Sequence, residues 1–309
     1  MSTTTETPAA QVSLNVLAIG ASRNIGYYSS LKLLQHGATV TFLLRNPTTF
    51  DNDTEIQKFV SSGHARLVKG DALVKDDVAR VWAAAIDRND QRRIDYLLFT
   101  LGGTPKFSPT KGFVVSPPNL VTQSLLNTLS TLPLSQLPFP PKILTISSTG
   151  LTPTSHASLP PLLKPMYGYL LASPHADKVG AEQVMHHVTA NWTWNTQADS
   201  EAEAGILPEG WEKTEGLPAE SSLQHVIVIR PSLLTDGKSL GEKYDTLREE
   251  GKEKEIQKMR KKGQPYRVST GTQELGGYTV ARKDVAHFIV ELFLNRWNEY
   301  DNKVVHISY

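Results

Sequence analysis

Cysteine is absent from the 309 residues of this chain, and no apolar run is long enough to cross a bilayer. The first absence excludes a disulfide framework, thiol catalysis and cysteine-ligated metals. The adjacent His186-His187 would point about 100° apart on a helix and could not chelate one ion, so we expect no metal site. Net charge is almost absent too, at +1, which gives no reason to expect nucleic acid or an anionic membrane as a partner. Residues 1–11 are rich in Ser, Thr and Ala and lack the basic start and apolar core of a secretory signal. We predict a disordered tail over residues 1–13 and a cytoplasmic protein.

The most informative feature that is present is a turn after the first predicted strand. The apolar run Val16–Ile19 is followed by Gly20-Ala21-Ser22-Arg23-Asn24-Ile25-Gly26 and then by an amphipathic helical pattern. A strand, a glycine-bearing turn and a helix N-terminus make up a dinucleotide-binding unit, in which free N–H groups face a pyrophosphate. The usual middle glycine is missing, and Arg23 or Asn24 stands there depending on the register. An ordinary strand-to-helix turn is the alternative reading.

The end of the second predicted strand, residues 38–44, indicates which nucleotide would bind. Arg45 follows this strand, where NAD-specific folds place an acid that binds the ribose 2′-OH. An arginine suits a 2′-phosphate, so we expect NADP(H), with Arg23 able to reach the same phosphate. The alternative is a solvated arginine at a strand end.

Strand and helix patterns alternate along the chain, which predicts a doubly wound, mainly parallel α/β sheet of the Rossmann type. We predict a single domain over residues 14–309, with insertions at 191–223 and 238–278 forming a small substrate lobe. One charged helix is expected over residues 238–262. The chain is further expected to bind a small-molecule substrate, and a homodimer is left open.

Five motifs, in this order, resemble those of the atypical short-chain dehydrogenases/reductases. They are the Gly20–Gly26 turn, Gly70-Asp71, Lys178–Glu182, Ile229–Gly237 and Ala281–Ala286. The group includes NmrA-like proteins and biliverdin reductase B-like flavin reductases, and the resemblance covers roughly residues 14–308.

The resemblance implies a set of cofactor-binding positions. The turn, through Gly20, Ser22, Arg23, Asn24, Ile25 and Gly26, would hold the pyrophosphate, and Asp71 with Ala72 beside it would bind the adenine. The adenosine ribose would pass Leu101, Gly102 and Gly103, and the nicotinamide amide would contact Pro231, Ser232 and Leu233.

The resemblance also implies catalytic positions, with one departure. Tyrosine-dependent members of the wider family use Ser, Tyr and Lys, with the Tyr four residues before the Lys. Lys178 and the pair Ser147-Ser148 match, but Pro174 occupies the tyrosine position. Tyr169 lies nearby but out of register, and Lys178 could bind the nicotinamide ribose and shuttle a proton. An exposed helical lysine and a simple Ser-Ser turn are the alternatives.

These observations favour an NADPH-dependent oxidoreductase that reduces a carbonyl or conjugated small molecule by hydride transfer. The missing tyrosine favours a different class, a regulatory protein that senses NADP(H) without turnover. A non-redox isomerase or epimerase that keeps its nicotinamide is a third reading.

Overall fold

The structure is a computed structural model that describes residues 14–87, 92–157, 159, 161–162, 164–192, 201–259, 263–271 and 275–309. The tail predicted over residues 1–13 lies outside the described residues.

Within these residues, eight strands form one central sheet. They are β1 (Asn15–Ile19), β2 (Thr39–Leu44), β3 (Ala65–Lys69), β4 (Tyr96–Phe99), β7 (Lys142–Ile146), β8 (Val226–Pro231), β10 (Arg267–Thr270) and β12 (Lys303–Ser308). Their order in the sheet is β10-β12-β8-β7-β4-β1-β2-β3, and all neighbours are parallel except β10, which pairs antiparallel with β12. The predicted doubly wound α/β sheet is confirmed.

Four short strands form two small pairs outside this sheet. They are the hairpin β5 (Lys106–Ser108) with β6 (Gly112–Val114), and the parallel pair β9 (Leu233–Thr235) with β11 (Thr279–Ala281). Both pairs follow strands of the central sheet, β5–β6 after β4 and β9 after β8. They therefore stand at the carboxyl edge of the sheet, where ligands of open α/β sheets bind.

Helices cover both faces of the sheet because side chains of buried strands point alternately to either face. The helices are α1 (Asn24–Gln35), α2 (Thr54–Ser61), α3 (Lys75–Ile86), α4 (Leu120–Ser130), α5 (Pro153–Ala157), α6 (Lys164–Leu170), α7 (Ala172–Val188), α8 (Leu240–Glu249), α9 (Glu253–Gln257), α10 (Arg282–Glu291) and α11 (Trp297–Tyr300), with a π-helical turn at Leu292–Arg296. In β1, Val16 and Ala18 pack with α1 and α10, whereas Leu17 and Ile19 pack with α3, α4 and α7.

Helix α7 is fixed closely against α4. The buried Asp177 carboxylate accepts hydrogen bonds from the N–H groups of Val121 and Thr122, both at 2.8 Å, and so caps the start of α4. One turn later, Gly180 lets the helices approach, since a Cβ there would lie 2.7 Å from the Thr122 hydroxyl. These contacts fix the rotation of α7 about its axis.

The prediction of a single charged helix over residues 238–262 is wrong. The structure has two helices there, α8 and α9, because Gly251 adopts a φ of 67° after Glu250 and ends the first one. Residues 260–262 lie outside the described residues.

The two predicted insertions occupy different sides of the domain. Residues 201–223 pack on the layer of α3, α4 and α7, with Trp211 and Leu223 buried in its core. Helix α8 packs on α10 through Asp284, which accepts hydrogen bonds from the Ser239 hydroxyl and the Gly241 N–H. Their role as a substrate lobe stays a prediction.

No helix among the described residues combines the length and apolar character needed to cross a membrane.

Candidate functional site

The turn between β1 and α1 has the shape that a nucleotide-binding turn needs. Gly20 has a φ of 83°, and a Cβ there would collide with the Leu101 backbone at the end of β4. A Cβ on Gly26 would meet the Thr100 hydroxyl and lie 2.7 Å from the Ala21 Cα. Asn24 has a φ of 55°, so it takes the left-handed conformation that glycine usually supplies. Of the two residues that could stand for the middle glycine, Asn24 has this left-handed conformation and Arg23 is extended.

The first turn of α1 carries no acidic residue, so nothing there repels an anion at the positive end of the helix. Ser22 is partly exposed and Ile25 is buried beneath the turn. The exposed Arg23 guanidinium donates to the Thr104 hydroxyl at 2.6 Å, across the gap to the loop after β4. That contact points Arg23 toward this loop, and a shared phosphate with Arg45 stays a prediction.

Arg45 and Asp71 lie at one end of an open groove of about 690 Å³ along edge strand β3, between the strand and α3. The groove also contains Arg66 and Arg80. The Asp71 carboxylate accepts from the Leu73 N–H at 3.0 Å, and Asn127 donates to the carbonyl of the buried Ala72. One Asp71 oxygen thus shapes the turn after β3, and adenine binding by this residue remains a prediction.

The end of β4 contributes two glycines with different surroundings. A Cβ on Gly102 would have nothing within 4 Å, whereas one on Gly103 would collide with the side chain of Val115. Leu101 is partly buried against the core of the α3, α4 and α7 layer. Gly102 therefore presents bare backbone to open space, as the predicted passage of a ribose requires.

The end of β8 lies beside that of β7. Thr149 donates to the Pro231 carbonyl through both its N–H (3.1 Å) and its hydroxyl (3.2 Å), which ties the two loops together. Ser232 is buried and its N–H donates to Ile307, while Leu233 is 36% exposed at the start of β9. Of the three residues predicted to contact the nicotinamide, Leu233 is the one with an exposed side chain.

Lys178 joins α7 to the end of β7. Its ammonium donates to the carbonyls of Ile146 (2.9 Å) and Ser147 (3.2 Å), the last residue of β7 and the one that follows it. Burial of this group lowers the Lys178 pKa to about 8, against the opposing effect of the Asp177 and Glu182 carboxylates. The residue as a whole is partly exposed, so the ammonium itself is the enclosed part. A lysine that titrates near neutral pH can transfer a proton.

The two serines that follow β7 differ. The Ser147 hydroxyl is buried, and no partner for it is found among the described residues. The Ser148 hydroxyl donates to the Thr149 carbonyl at 3.1 Å. Ser147 therefore has a hydrogen-bonding group available beside Lys178, whereas the Ser148 hydroxyl serves the turn.

His175 is a further residue of this site, which the sequence indicates as a helix-start residue with a proton-transfer role as the alternative. It lies one turn before Lys178 on α7 and is buried. Burial, followed by the nearby Lys178 and His156, lowers the His175 pKa to about 3, while a hydrogen bond with the Gly150 backbone opposes that shift. His175 is thus a neutral side chain packed at the loop after β7.

The hydroxyl of Tyr169 is bound by the β5–β6 hairpin. Its hydroxyl donates to the Pro109 carbonyl in the turn of that hairpin, and its side chain is 44% exposed. The side chain of the neighbouring Tyr167 lies outside the described residues. A catalytic role for Tyr169 stays a prediction that would require this hydrogen bond to open.

A buried ion pair was also missed from the sequence. The guanidinium of Arg230 in β8 donates to both carboxylate oxygens of Glu182 in α7, at 2.9 and 2.5 Å. Glu182 lies one turn beyond Lys178, and both side chains of the pair are at most 2% exposed. An arginine inside the apolar run 226–231 is the signal that could have predicted it, since a buried charge requires a partner.

In the described part of the chain, no cluster of three or more histidine or acidic side chains is arranged to hold a metal ion.

Comparisons with known proteins agree with this geometry at the level of the fold. No protein-family model matches the sequence. A short-chain dehydrogenase from Burkholderia cenocepacia J2315, solved in complex with NADP, superposes with a TM-score of 0.52 at 12% identity, covering 96% of each chain. A double mutant of a Serratia marcescens short-chain dehydrogenase/reductase gives 0.53 at 14% identity, over 96% of this chain and 97% of that one. The fold is therefore that of the short-chain dehydrogenases/reductases.

One curated protein shows similarity in sequence. The reductase pytE of Aspergillus terreus is 28% identical over 173 residues, which is 55% of this chain and 48% of that protein. The matched region thus spans about half the length of that relative.

Proposed function

We propose that this chain is an NADPH-dependent reductase that transfers hydride to a carbonyl or conjugated small molecule. The contact that carries the proposal is the one between the Lys178 ammonium and the carbonyls at the end of β7, beside the buried Ser147 hydroxyl. The short-chain dehydrogenase fold, the NADP bound by one structural neighbour and the reductase name of the curated relative support it. Membership of the NmrA-like group belongs to the same proposal.

The residues present fit a bound NADPH. The β1–α1 turn offers N–H groups and the first turn of α1 carries no acidic residue, Gly102 leaves room for a ribose, and Arg45 adds a cation at the adenosine end. The bound nucleotide would supply a hydride from its nicotinamide ring.

The protein's own side chains would handle the proton and the carbonyl. The Ser147 hydroxyl would donate a hydrogen bond to the carbonyl oxygen and so fix its position. As the carbonyl carbon gains the hydride, its oxygen would take a proton from the Lys178 ammonium, which regains one from solvent. The product is an alcohol, and this transfer of one hydride and one proton needs no tyrosine.

A second candidate is a protein that binds NADP(H) without turnover. Pro174 at the tyrosine position and the engaged Tyr169 hydroxyl favour it. The two candidates differ in one observable, the loss of NADPH absorbance in the presence of a panel of aldehydes, ketones and enones. Turnover of any member of the panel supports the reductase. NADPH binding without turnover across the panel supports the sensor.

A further inference from the structure

The chain has one long stretch that contains no acidic residue. Asp and Glu make up 31 of its 309 residues, yet none occurs between Asp95 and Asp177. This acid-free stretch, residues 96–176, supplies β4, the β5–β6 hairpin, α4, β7, α5 and α6. It therefore supplies the ends of β4 and β7 and the hairpin and short helices that follow them.

These acid-free elements surround the helix that carries Lys178. The hairpin packs on α6 so closely that a Cβ on Gly112 would collide with the Tyr169 carbonyl. Strand β6 also contacts α7, and α6 precedes α7 with one residue between them. The hairpin and α6 thus form a rim beside the amino-terminal half of α7.

The rim exposes aromatic and apolar side chains. Phe107 is 59% exposed and packs edge-to-face on Phe113, with ring centroids 5.7 Å apart. Leu162, just before α6, is 82% exposed, and Tyr169, whose hydroxyl donates to the hairpin turn at Pro109, is 44% exposed. Large apolar side chains grouped at a ligand-binding edge offer contact area to an apolar ligand.

The charged side chains of the rim are all lysines. Lys106 and Lys111 are exposed on the hairpin, and Lys164 begins α6. The phosphates of a dinucleotide would face the β1–α1 turn and Arg45 instead, at other strand ends. The lysines of the rim are therefore placed to meet a different anion.

We propose that this rim binds the substrate, and that the substrate is a carbonyl compound with an aromatic body and a carboxylate. The aromatic body would pack on Phe107 and Tyr169, and the carboxylate would lie by Lys106 or Lys111. This inference rests on the proposed reductase function, because it takes the substrate carbonyl to lie at Ser147 and Lys178.

Three probes separate the two features of the substrate. Phenylglyoxylate carries a ring and a carboxylate, its methyl ester keeps the ring without the charge, and pyruvate keeps the charge without the ring. We measure binding of each probe to the NADP⁺-saturated protein by calorimetry, and kcat/KM with NADPH. Phenylglyoxylate should be preferred over the ester by about fivefold, as expected for an exposed ion pair. It should be preferred over pyruvate by about tenfold or more, as expected for buried apolar surface.

Variants at exposed positions test the same residues without disturbing the core. Phe107→Ala should lower kcat/KM for phenylglyoxylate about tenfold. The matched control is Phe139→Ala, which removes a 47% exposed ring that precedes β7 at the opposite edge of the sheet. The double change Lys106→Gln and Lys111→Gln should abolish the preference for acid over ester. Lys303→Gln, at the start of β12 on that opposite edge, should leave the preference intact.

The outcomes distinguish the rim from the reductase. If NADPH binds and the ester or pyruvate performs as well as phenylglyoxylate, the rim proposal is overturned and the reductase stands. If NADPH fails to bind, the reductase proposal is overturned. The order of the probe affinities, measured by calorimetry on the free protein, then tests the rim proposal by itself. If Phe107→Ala instead abolishes sedimentation with phosphatidylserine vesicles and leaves probe binding unchanged, the rim is a lipid-binding surface and the proposal is overturned.

Discussion

Arg230 in β8 and Glu182 in α7 form a bidentate ion pair in the core, next to the helical turn that carries Lys178. Asp177, on the other side of Lys178, caps α4. Helix α7 is therefore fixed on both sides of Lys178, once to a strand and once to a helix. This arrangement holds the ammonium at the carbonyls of β7.

Breaking the ion pair on one side should destabilise the protein strongly. Arg230→Met leaves the Glu182 carboxylate buried without its partner, so we expect a loss of about 3–5 kcal/mol in the free energy of unfolding. The double variant Arg230→Met with Glu182→Met removes both charges and should recover most of that loss. Urea unfolding of the two single variants and the double variant measures the coupling. Additive single effects would show that the pair contributes no interaction of its own.

The rate of reduction should depend on the protonation of Lys178. In the proposed reaction the protonated ammonium donates the proton, and burial lowers its pKa to about 8. We therefore expect kcat/KM to be constant below that pH and to fall above it. Lys178→Met should lower kcat/KM by about 10²-fold or more and remove this limb of the profile.

Glu182→Gln provides a control for that assignment, because the Glu182 charge raises the Lys178 pKa. Its removal should move the falling limb to lower pH in the protein that remains folded. Tyr169→Phe should keep the profile and cost less activity than Lys178→Met. A dead Tyr169→Phe enzyme beside an active Lys178→Met enzyme would show that the donor is the tyrosine.

Asn24 should tolerate glycine better than alanine. Its φ of 55° lies in the region that costs an alanine about 1 kcal/mol or more and costs glycine little. Thermal unfolding should therefore rank Asn24→Gly at or above the wild type and Asn24→Ala below it. Titration with NADPH completes the test, since only the alanine variant should lose affinity. Equal stability of the two variants would mean that the turn relaxes to another conformation.

Arg45 should set the choice of nucleotide. We expect NADPH to bind at least about tenfold more tightly than NADH, equivalent to roughly 1.4 kcal/mol. Arg45→Asp should abolish or reverse that preference, since a carboxylate repels a 2′-phosphate and accepts from a 2′-OH. Arg66→Gln, in the same groove but not following β2, is the matched control and should keep the preference. Equal affinities in the wild type would contradict the assignment.

The parallel sheet was predictable because its strands are continuous apolar runs, such as 96–99 and 226–229, bounded by glycine or polar residues. The small pairs β5–β6 and β9–β11 were missed. Their strands are three residues long, and Lys106 to Val114 has the proline, glycine and serine content of a loop. Strand β10 was also missed, because half-buried Arg267 to Thr270 shows no apolar run.

In the site, the strand–turn–helix pattern indicated the glycines of the β1–α1 turn, and the family resemblance indicated Lys178. Neither could show that Tyr169 bonds to Pro109 or that Glu182 pairs with Arg230. Those pairs are separated by 60 and 48 positions in the chain, and only the tertiary fold brings them together. Likewise, the left-handed conformation of Asn24 is visible only in the backbone.

Gly103 and Val115 have a consequence for how this protein can change by mutation. The three atoms nearest to a Cβ on Gly103, at 2.1, 2.8 and 3.0 Å, all belong to the side chain of Val115. An alanine at 103 is therefore blocked while valine stands at 115. Alanine at 115 would still leave its own Cβ 3.0 Å from the new one, so glycine at 115 is the change that clears these contacts. The order of the two substitutions therefore matters, and relatives should change residue 115 before residue 103. The stability effects of the two single mutations should not add up to the effect of the double mutation.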